Sequence, residues 1–234
     1  NTTKHFRLVN CMVHDAFSPQ RDPLNISASG SGIILVNVTN AEVSGYLSDY
    51  NVRGVTVVGG GNITISNSRF SNNIEAAVHL TSTKDVTIRN CLMERGETGK
   101  DGALLESCHD VSVLNNTVGD GTTGVRLLSS HSNLIDGNQI SAPSGNGISV
   151  AGVPDGKANV VSGNNVRKAG SAGILVSIGE GQEVLGNEVS ECLYGVRLDS
   201  PGNTVSGNLL HNNTQGISIS TGADWNTVSE NTVL

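Results

Sequence analysis

The chain has 234 residues, with only 3% aromatic and 15% charged residues. This composition lacks the charge density of a disordered chain, and the sequence lacks the long apolar run of a membrane span. The net charge of −7 argues against a nucleic-acid backbone as the main partner, because such binding normally rests on a basic surface.

A short phrase recurs along the chain: an apolar strand residue, a Gly or Asn, a small polar residue and, two places on, another apolar residue. The residues that close the phrase are Cys11, Tyr46 (a poor fit), Ser68, Cys91, Asn116, Asn138, Asn164, Asn187, Asn208 and Asn231. From Tyr46 onward their spacings, by subtraction, are 22, 23, 25, 22, 26, 23, 21 and 23 residues. A period of this length predicts stacked structural repeats.

Each unit carries two further short strands around this phrase. One is an alternating stretch that opens on a small residue, as in Gly54-Val-Thr-Val57 and Gly216-Ile-Ser-Ile219. Strict alternation of apolar and other residues is typical of a half-buried strand. The other strand follows the phrase and contributes one apolar residue per unit: Phe70, Met93, Val118, Ile140, Val166, Val189, Leu210 and Val233.

Three short strands in a unit of about 22 residues leave room only for short turns, and no segment shows sustained helical periodicity. We therefore predict an all-β fold: a single-stranded right-handed parallel β-helix, a solenoid of about ten coils. Successive coils are expected about 4.8 Å apart, the spacing of paired strands. We expect one β-helix domain over residues 1–234, and a fragment of a longer protein because the sequence opens and stops inside repeat units.

The closing asparagines predict a ladder of side-chain amides along the turns. Asn tolerates the left-handed backbone conformation of a tight turn, and its amide both donates and accepts hydrogen bonds. A second polar column consists of Asn133, Asn159, Gln182, Asn203 and Asn226. Earlier coils place Ile63, Val86 and Val111 at that point, so we expect the interior to change from apolar to amide-lined near the middle of the rod.

The four cysteines are Cys11, Cys91, Cys108 and Cys192. Their spacing is not that of a metal site, and an even count alone does not establish disulfides in a chain of this length. Their positions in the repeat favour buried small residues.

The repeat resembles that of the pectate-lyase-like superfamily of right-handed β-helices, most closely the pattern of the family that includes the copper-accessory protein NosD. The resemblance covers nearly all of the chain from Phe6 onward. It implies the fold and a range of activities, since this superfamily includes polysaccharide lyases, hydrolases, uronate epimerases and phage tailspikes. No enzyme motif carries over intact. Asp22-Pro23 is followed by Leu24, where mannuronan epimerases have a histidine, and the polygalacturonase and pectate-lyase motifs are absent.

In such folds substrates usually lie along the groove formed by the first strand of each coil, which makes the outward positions of that strand candidates. These positions hold His79, Glu106, Arg126, Arg197 and Asp199. The turn before Gly102 is enlarged and charged, Glu94-Arg-Gly-Glu-Thr-Gly-Lys-Asp101. We expect it to overhang the strands that carry His79 and Glu106.

A lyase or epimerase needs a base for the sugar C5 proton and a cation for the sugar carboxylate. His79 or Lys100 is predicted as the base, and Arg126 or Arg95 as the partner of the carboxylate. The candidate catalytic residues are His79, Lys100, Asp101, Glu106 and Arg126.

A second option assigns Glu106 and Asp101 to a hydrolytic acid pair or to Ca²⁺ binding. No other cofactor is expected. The non-functional alternative is that all the candidate residues are solvated charges on an exposed sheet. The insertion from His14 to Pro23 is either a functional loop or a cover for the edge of the first coil.

Two classes of function remain open. The first is an extracellular, cell-surface or virion protein that interacts with polysaccharide, either as a lyase, epimerase or glycoside hydrolase or as a tailspike-like glycan binder. The second is a catalytically silent scaffold in assembly or adhesion. We expect polysaccharide as the partner, a homo-oligomer (a trimer if tailspike-like), no nucleic acid and no membrane span.

Overall fold

The computed structural model describes residues 3–14, 30–94, 100–153 and 156–234. In these ranges the chain forms 29 β-strands and no helix. The strands make three parallel sheets, and the chain visits the sheets in a constant order, so that every third strand belongs to the same sheet. This confirms the prediction of a right-handed parallel β-helix of about ten coils, and we name the sheets A, B and C.

Sheets A and B have ten strands each and sheet C has nine. Sheet A comprises β1 (Thr3–Val9), β4 (Val38–Ser44), β7 (Gly61–Ser66), β10 (Lys84–Arg89), β13 (His109–Leu114), β16 (Leu134–Asp136), β19 (Val160–Ser162), β22 (Glu183–Leu185), β25 (Thr204–Ser206) and β28 (Thr227–Ser229). Sheet B comprises β2 (Met12–His14), β5 (Leu47–Asp49), β8 (Arg69–Ser71), β11 (Leu92–Glu94), β14 (Thr117–Gly119), β17 (Gln139–Ser141), β20 (Asn165–Arg167), β23 (Glu188–Ser190), β26 (Leu209–His211) and β29 (Thr232–Val233). Sheet C comprises β3 (Ser31–Val36), β6 (Arg53–Val58), β9 (Ala76–Thr81), β12 (Asp101–Glu106), β15 (Thr123–Leu128), β18 (Ile148–Ala151), β21 (Ala172–Ile178), β24 (Tyr194–Leu198) and β27 (Gln215–Ile219).

The asparagine ladder runs along the turns between sheets A and B, as predicted. Each side-chain Nδ2 donates to the Oδ1 of the next coil, and the five Nδ2–Oδ1 distances lie between 2.8 and 3.0 Å. The six members are Asn116, Asn138, Asn164, Asn187, Asn208 and Asn231. Each Oδ1 also accepts the backbone N–H of the preceding member, at 2.9 Å from Asn138 N to Asn164 Oδ1. The amides are therefore satisfied where they are buried.

The backbone conformation at these turns corrects one expectation. The ladder asparagines do not have a positive φ; the left-handed residue is the one before each of them, as at Asn115 (φ 54°) and Gly137 (φ 66°). The preceding residue therefore makes the turn, and the ladder asparagines contribute through their amides.

The second polar column lies between sheets C and A and changes partners along its length. Asn133 and Asn159 each donate through Nδ2 to the next coil at 2.8 Å. From Gln182 onward the side-chain amides donate to nearby backbone carbonyls instead. The bond between Gln182 and Asn203 runs from the backbone N–H of Gln182 to Oδ1 of Asn203, at 2.8 Å. The expected change in the interior is present, because Val111 occupies this column one coil before Asn133.

Small residues open the strands of sheet C because the corner with sheet B is tight. A Cβ added to Gly173 would lie 2.1 Å from Cγ1 of Val189, and one added to Gly147 would lie 2.3 Å from Cγ1 of Val166. The core between the three sheets is apolar, and it includes Cys91, Cys108 and Cys192 as buried free thiols. These three are small core residues, as expected. Cys11 is also free, but it is only half-buried and packs against the core.

Candidate functional site

The outward residues in the middle of the sheet C strands form a straight column along the rod, which we call the outer column. Its members, paired in register from strand to strand, are Ile34, Thr56, His79, Leu104, Arg126, Ser149, Leu175, Arg197 and Ser218. The ladder at the turns between sheets A and B keeps one residue type over six coils, but the outer column changes type at every coil. Charged pairs lie at His79 and Arg126, and a further one lies at Arg197.

His79 and Glu106 form the closest pair of predicted residues. Nε2 of His79 lies 2.7 Å from Oε2 of Glu106, and the hydroxyl of Thr81 lies 3.1 Å from the same nitrogen. His79 is 5% exposed, whereas the side chain of Glu106 is 38% exposed. The carboxylate therefore reaches the surface, and the buried imidazole hydrogen-bonds one of its oxygens.

The surroundings of His79 disfavour the protonated form of its imidazole. Burial lowers its pKa, and the positive charge of Arg53 acts in the same direction, against the opposing effect of Glu106. Nδ1 is buried without a hydrogen-bond partner. A neutral ring with its proton on Nε2 donates to the carboxylate and leaves only a lone pair at Nδ1, which is the tautomer that avoids a buried unpaired donor.

Asp101 and Arg126 form the second pair. Oδ1 of Asp101 lies 2.9 Å from a terminal nitrogen of Arg126. Asp101 is 3% exposed, and the side chain of Arg126 is 31% exposed. The buried carboxylate thus positions a guanidinium that still presents part of its surface outward.

Sequence reasoning missed a third pair, Arg53 and Glu75, which lie 2.7 Å apart and are largely buried. Arg53 opens β6, and Glu75 directly precedes β9. Both charges act on the pKa of His79, in opposite directions. The only signal in the sequence was the coincidence of opposite charges 22 residues apart, one repeat period.

The structure pairs four of the predicted residues, His79 with Glu106 and Asp101 with Arg126. Lys100 is exposed, and its backbone carbonyl accepts the N–H groups of Thr122 and Thr123 at 2.8 Å. Arg95 lies outside the described residues, as do the rest of the turn at 95–99 and the insertion from 15 onward. The non-functional alternative of solvated surface charges is wrong for His79 and Asp101, since both are buried.

The described ranges hold neither a metal-ligand cluster of three or more side chains nor a membrane-spanning helix. Within them, no group of three or more His, Cys, Asp or Glu side chains is arranged to hold a metal ion. Asp101 and Glu106 each bond a basic side chain instead, so no ligand cluster supports the Ca²⁺ prediction there. These ranges also contain no helix with the length and apolar character needed to cross a membrane.

A smaller polar group lies at the other end of the outer column. Arg197 bonds Asp199 through Nε at 2.9 Å, and its guanidinium lies 5.4 Å from the ring centre of Tyr194. The hydroxyl of Ser220 also bonds Asp199. A surface pocket of about 250 Å³ beside them is lined by Ser177, Ile178, Gly179, Glu180, Asp199, Ser200 and Pro201. Because Arg126 and Arg197 are three strands apart in one column, about 14 Å separates them.

Solved structures with the same fold align with most of this chain. The periplasmic alginate epimerase AlgG aligns with a TM-score of 0.76 and 16% identity, over 84% of this chain and 51% of that one. A tailspike protein of E. coli bacteriophage HK620, in complex with a hexasaccharide, aligns with a TM-score of 0.65 and 15% identity, over 84% of this chain and 41% of that one. At these identities the similarity establishes the fold, and this chain spans about half or less of either protein.

A search of curated protein sequences finds no significant match. A family model does match: the one described as "Right handed beta helix region" covers residues 1–152 and 101–234. These two overlapping matches span the whole sequence. The chain therefore belongs to the right-handed β-helix family.

Proposed function

We propose that the protein binds an acidic polysaccharide along the outer column of sheet C and transfers a proton at the sugar C5 position, as a lyase or epimerase does. The observation that carries this proposal is the 2.7 Å contact between His79 and Glu106. It places a partly exposed carboxylate, supported by a neutral imidazole, on the face that also presents Arg126.

Glu106 is the proton acceptor in this proposal. Its carboxylate is partly exposed and can approach a substrate, whereas both the Nδ1 and the ring of His79 are buried. His79 is then a positioning residue: its Nε2–H holds one carboxylate oxygen and leaves the other available to the C5 proton. The sequence had instead suggested His79 or Lys100 as this base, and Glu106 as part of a hydrolytic acid pair or a Ca²⁺ site.

Arg126 is the partner of the sugar carboxylate. A guanidinium binds a carboxylate with two parallel hydrogen bonds, and its charge stabilises the negative charge that develops when C5 loses its proton. Asp101 holds Arg126 from the buried side. Arg197 offers a second cation about 14 Å along the same column, a spacing of three strands, which suits a linear polyanion that lies parallel to the rod.

The related structures support the choice of substrate class. One is described as an alginate epimerase and another as a tailspike in complex with a hexasaccharide. The epimerase is periplasmic and the tailspike belongs to a bacteriophage, so we place this protein outside the cytoplasm as well. A homo-oligomer, trimeric if the assembly is tailspike-like, remains a prediction.

A catalytically silent glycan-binding or scaffold role is the second candidate. One observation favours it: each carboxylate of the site already has a basic partner within the chain, at 2.7 to 2.9 Å. Such pairs also occur as purely structural contacts on a sheet. The two candidates differ in one respect, which is whether the bound sugar loses its C5 proton.

Loss of the C5 proton separates them, because an epimerase replaces this proton with a solvent deuteron and a lyase expels the group at C4 to leave a C4–C5 double bond. Uronate polysaccharides, including alginate, would be incubated with the protein in D₂O and followed by NMR for both products. We expect C5 deuteration or an unsaturated product with the wild type, and a rate lower by about 10²- to 10⁴-fold in Glu106→Gln. Glu188→Gln is the matched control, since Glu188 also contacts a histidine (His211, 3.2 Å) but lies on sheet B.

Circular dichroism would verify that each variant is folded. Binding of uronate polysaccharide by the wild type with neither C5 deuteration nor an unsaturated product would overturn proton transfer and establish the silent binder. Equal rates of product formation by the wild type and Glu106→Gln would overturn the assignment of Glu106. An absence of both binding and product with every uronate polymer would overturn the substrate class.

A further inference from the structure

Two histidines face each other in successive coils at the corner between sheets C and A. His109 opens β13, and His131 is its parallel bridge partner in the next coil. The two imidazole rings are stacked, with 5.2 Å between centroids and 2° between planes. The side chain of His109 is 39% exposed, and His131 is half-buried. The pair lies outside the outer column.

Each ring is oriented by the residue that follows it. Nδ1 of His109 lies 2.7 Å from Oδ2 of Asp110, and Nδ1 of His131 lies 3.1 Å from Oγ of Ser132. Both rings therefore turn Nδ1 toward the chain and leave Nε2 at the opposite edge. Among the described residues, neither Nε2 has a hydrogen-bond partner.

We infer that His109 and His131 form a binding site for a divalent transition-metal ion of the zinc class, with water in the remaining positions. Imidazole nitrogen is a preferred ligand of these ions, whereas Ca²⁺ and Mg²⁺ prefer oxygen. The contact between His109 and Asp110 is the carboxylate–histidine arrangement that usually supports a metal-bound imidazole and places the free lone pair on the other nitrogen.

Both rings have to rotate to form such a site, because stacked rings direct their in-plane lone pairs in parallel and not at one ion. Tetrahedral coordination with metal–nitrogen distances of 2.0–2.1 Å requires about 3.3 Å between the two Nε2 atoms and lone pairs that converge on the ion, so each ring has to turn by roughly 50° out of the stack. Rotations about χ1 and χ2 supply this movement. Backbone movement is not needed, because the bridge already places both residues in register.

Local charge neither favours nor excludes a cation. Lys84 is the register partner of His109 on the preceding strand, and Lys157 follows in the coil after His131. Asp85 and Asp110 lie beside them in sequence, so two formal positive and two formal negative charges cancel. The affinity therefore depends on the two imidazole nitrogens.

Zn²⁺ titration by calorimetry at about pH 7.5 tests the inference, since protons compete with the metal at lower pH. We expect one saturable site per chain and no comparable heat with Ca²⁺. His109→Gln and His131→Gln should each weaken Zn²⁺ binding by about tenfold or more, and Asp110→Asn by up to about tenfold through its support of His109. His211→Gln is the control, because His211 also contacts a carboxylate but has no stacked partner.

Zn²⁺ should also raise the melting temperature of the wild type and of His211→Gln, but not that of the double variant His109→Gln/His131→Gln, because a ligand stabilises the state that binds it. Equal Zn²⁺ affinity in the wild type and in both single variants would overturn the inference. So would a loss of affinity in His211→Gln as large as that in His109→Gln, or the absence of any saturable site in the wild type.

Discussion

Two columns of side chains run along this rod, and they differ in what they repeat. At the turns between sheets A and B, one residue type occupies six successive coils, and each amide bonds the next. In the outer column of sheet C, the residue changes at every coil, from Thr56 and His79 to Leu104 and Arg126. Both columns have the same spacing and the same rod beneath them.

The difference follows from what a substitution costs in each place. A change in the buried amide column leaves donors and acceptors unsatisfied in two neighbouring coils. The outer column has no such chain of dependence, so its side chains are available for binding or proton transfer. The repeat therefore accounts for the rod, and the departures from it on sheet C mark the face that we propose to be functional.

The largest effect on stability is expected in the middle of the amide column. Asn164→Ala removes bonds from Nδ2 to Ile135 O and Asn187 Oδ1, and two bonds from Asn138 to Oδ1. At roughly 1 kcal/mol for each of these four bonds, the free energy of unfolding should fall by about 4 kcal/mol. Chemical denaturation would measure this loss.

The control is the last rung. Asn231 is only half-buried, so water can replace part of its bonding, and Asn231→Ala should lower the free energy of unfolding by about 1 kcal/mol. Equal and small losses in both variants would show that the ladder does not stabilise the rod.

A smaller loss of stability is expected at the corner between sheets B and C. In Gly173→Ala the new Cβ would lie 2.1 Å from Val189 and 2.9 Å from the backbone oxygen of Gly195, an overpacking that should cost about 2 kcal/mol. Gly119→Ala is the control, because its nearest contact would be 3.9 Å away. Thermal unfolding of both variants would measure the difference, and equal melting temperatures would contradict the tight corner.

The smallest effect is the pH dependence that His79 contributes. Burial lowers its pKa below the usual 6.5, Arg53 adds to this, and Glu106 and Glu75 oppose it. Near pH 6.5 the unfolded chain therefore binds a proton that the folded chain does not. The contribution to stability is present above pH 6.5 and is lost as the pH falls from 6.5 toward the depressed folded pKa.

Chemical denaturation at about pH 7.5 and about pH 5.5 would measure this term. The free energy of unfolding of the wild type should fall more than that of His79→Gln between the two values. An equal fall in both proteins would show that His79 does not titrate with a depressed pKa.

The rod could be predicted from the sequence because its signals are local and repeated many times. The spacing of 21 to 26 residues and the alternating stretches predicted the three sheets, and the closing asparagines predicted the ladder. The left-handed residue was misplaced by one position, since Asn115 and Asn116 are equally good turn residues in sequence and only their backbone angles distinguish them.

The candidate site could be predicted only in part. Alternation indicates that His79 and Glu106 point outward, but it does not indicate what lies above them, so the burial of His79 was missed. Arg53 and Glu75 lie at or beside strand ends, where alternation gives no direction. The pairing of Asp101 with Arg126 also depends on three-dimensional register, since the two residues lie in successive coils.

We propose that the outer column of sheet C binds an acidic polysaccharide, and the dissociation constant of a uronate hexasaccharide measures this binding. Arg126→Gln should weaken binding by about tenfold or more through loss of a charged hydrogen-bond pair. Arg69→Gln changes the net charge equally, and Arg69 is also paired with a carboxylate (Glu94, 2.8 Å) but lies on sheet B. It should bind as the wild type does, and equal affinity of all three proteins, or equal weakening in the two variants, would contradict the account.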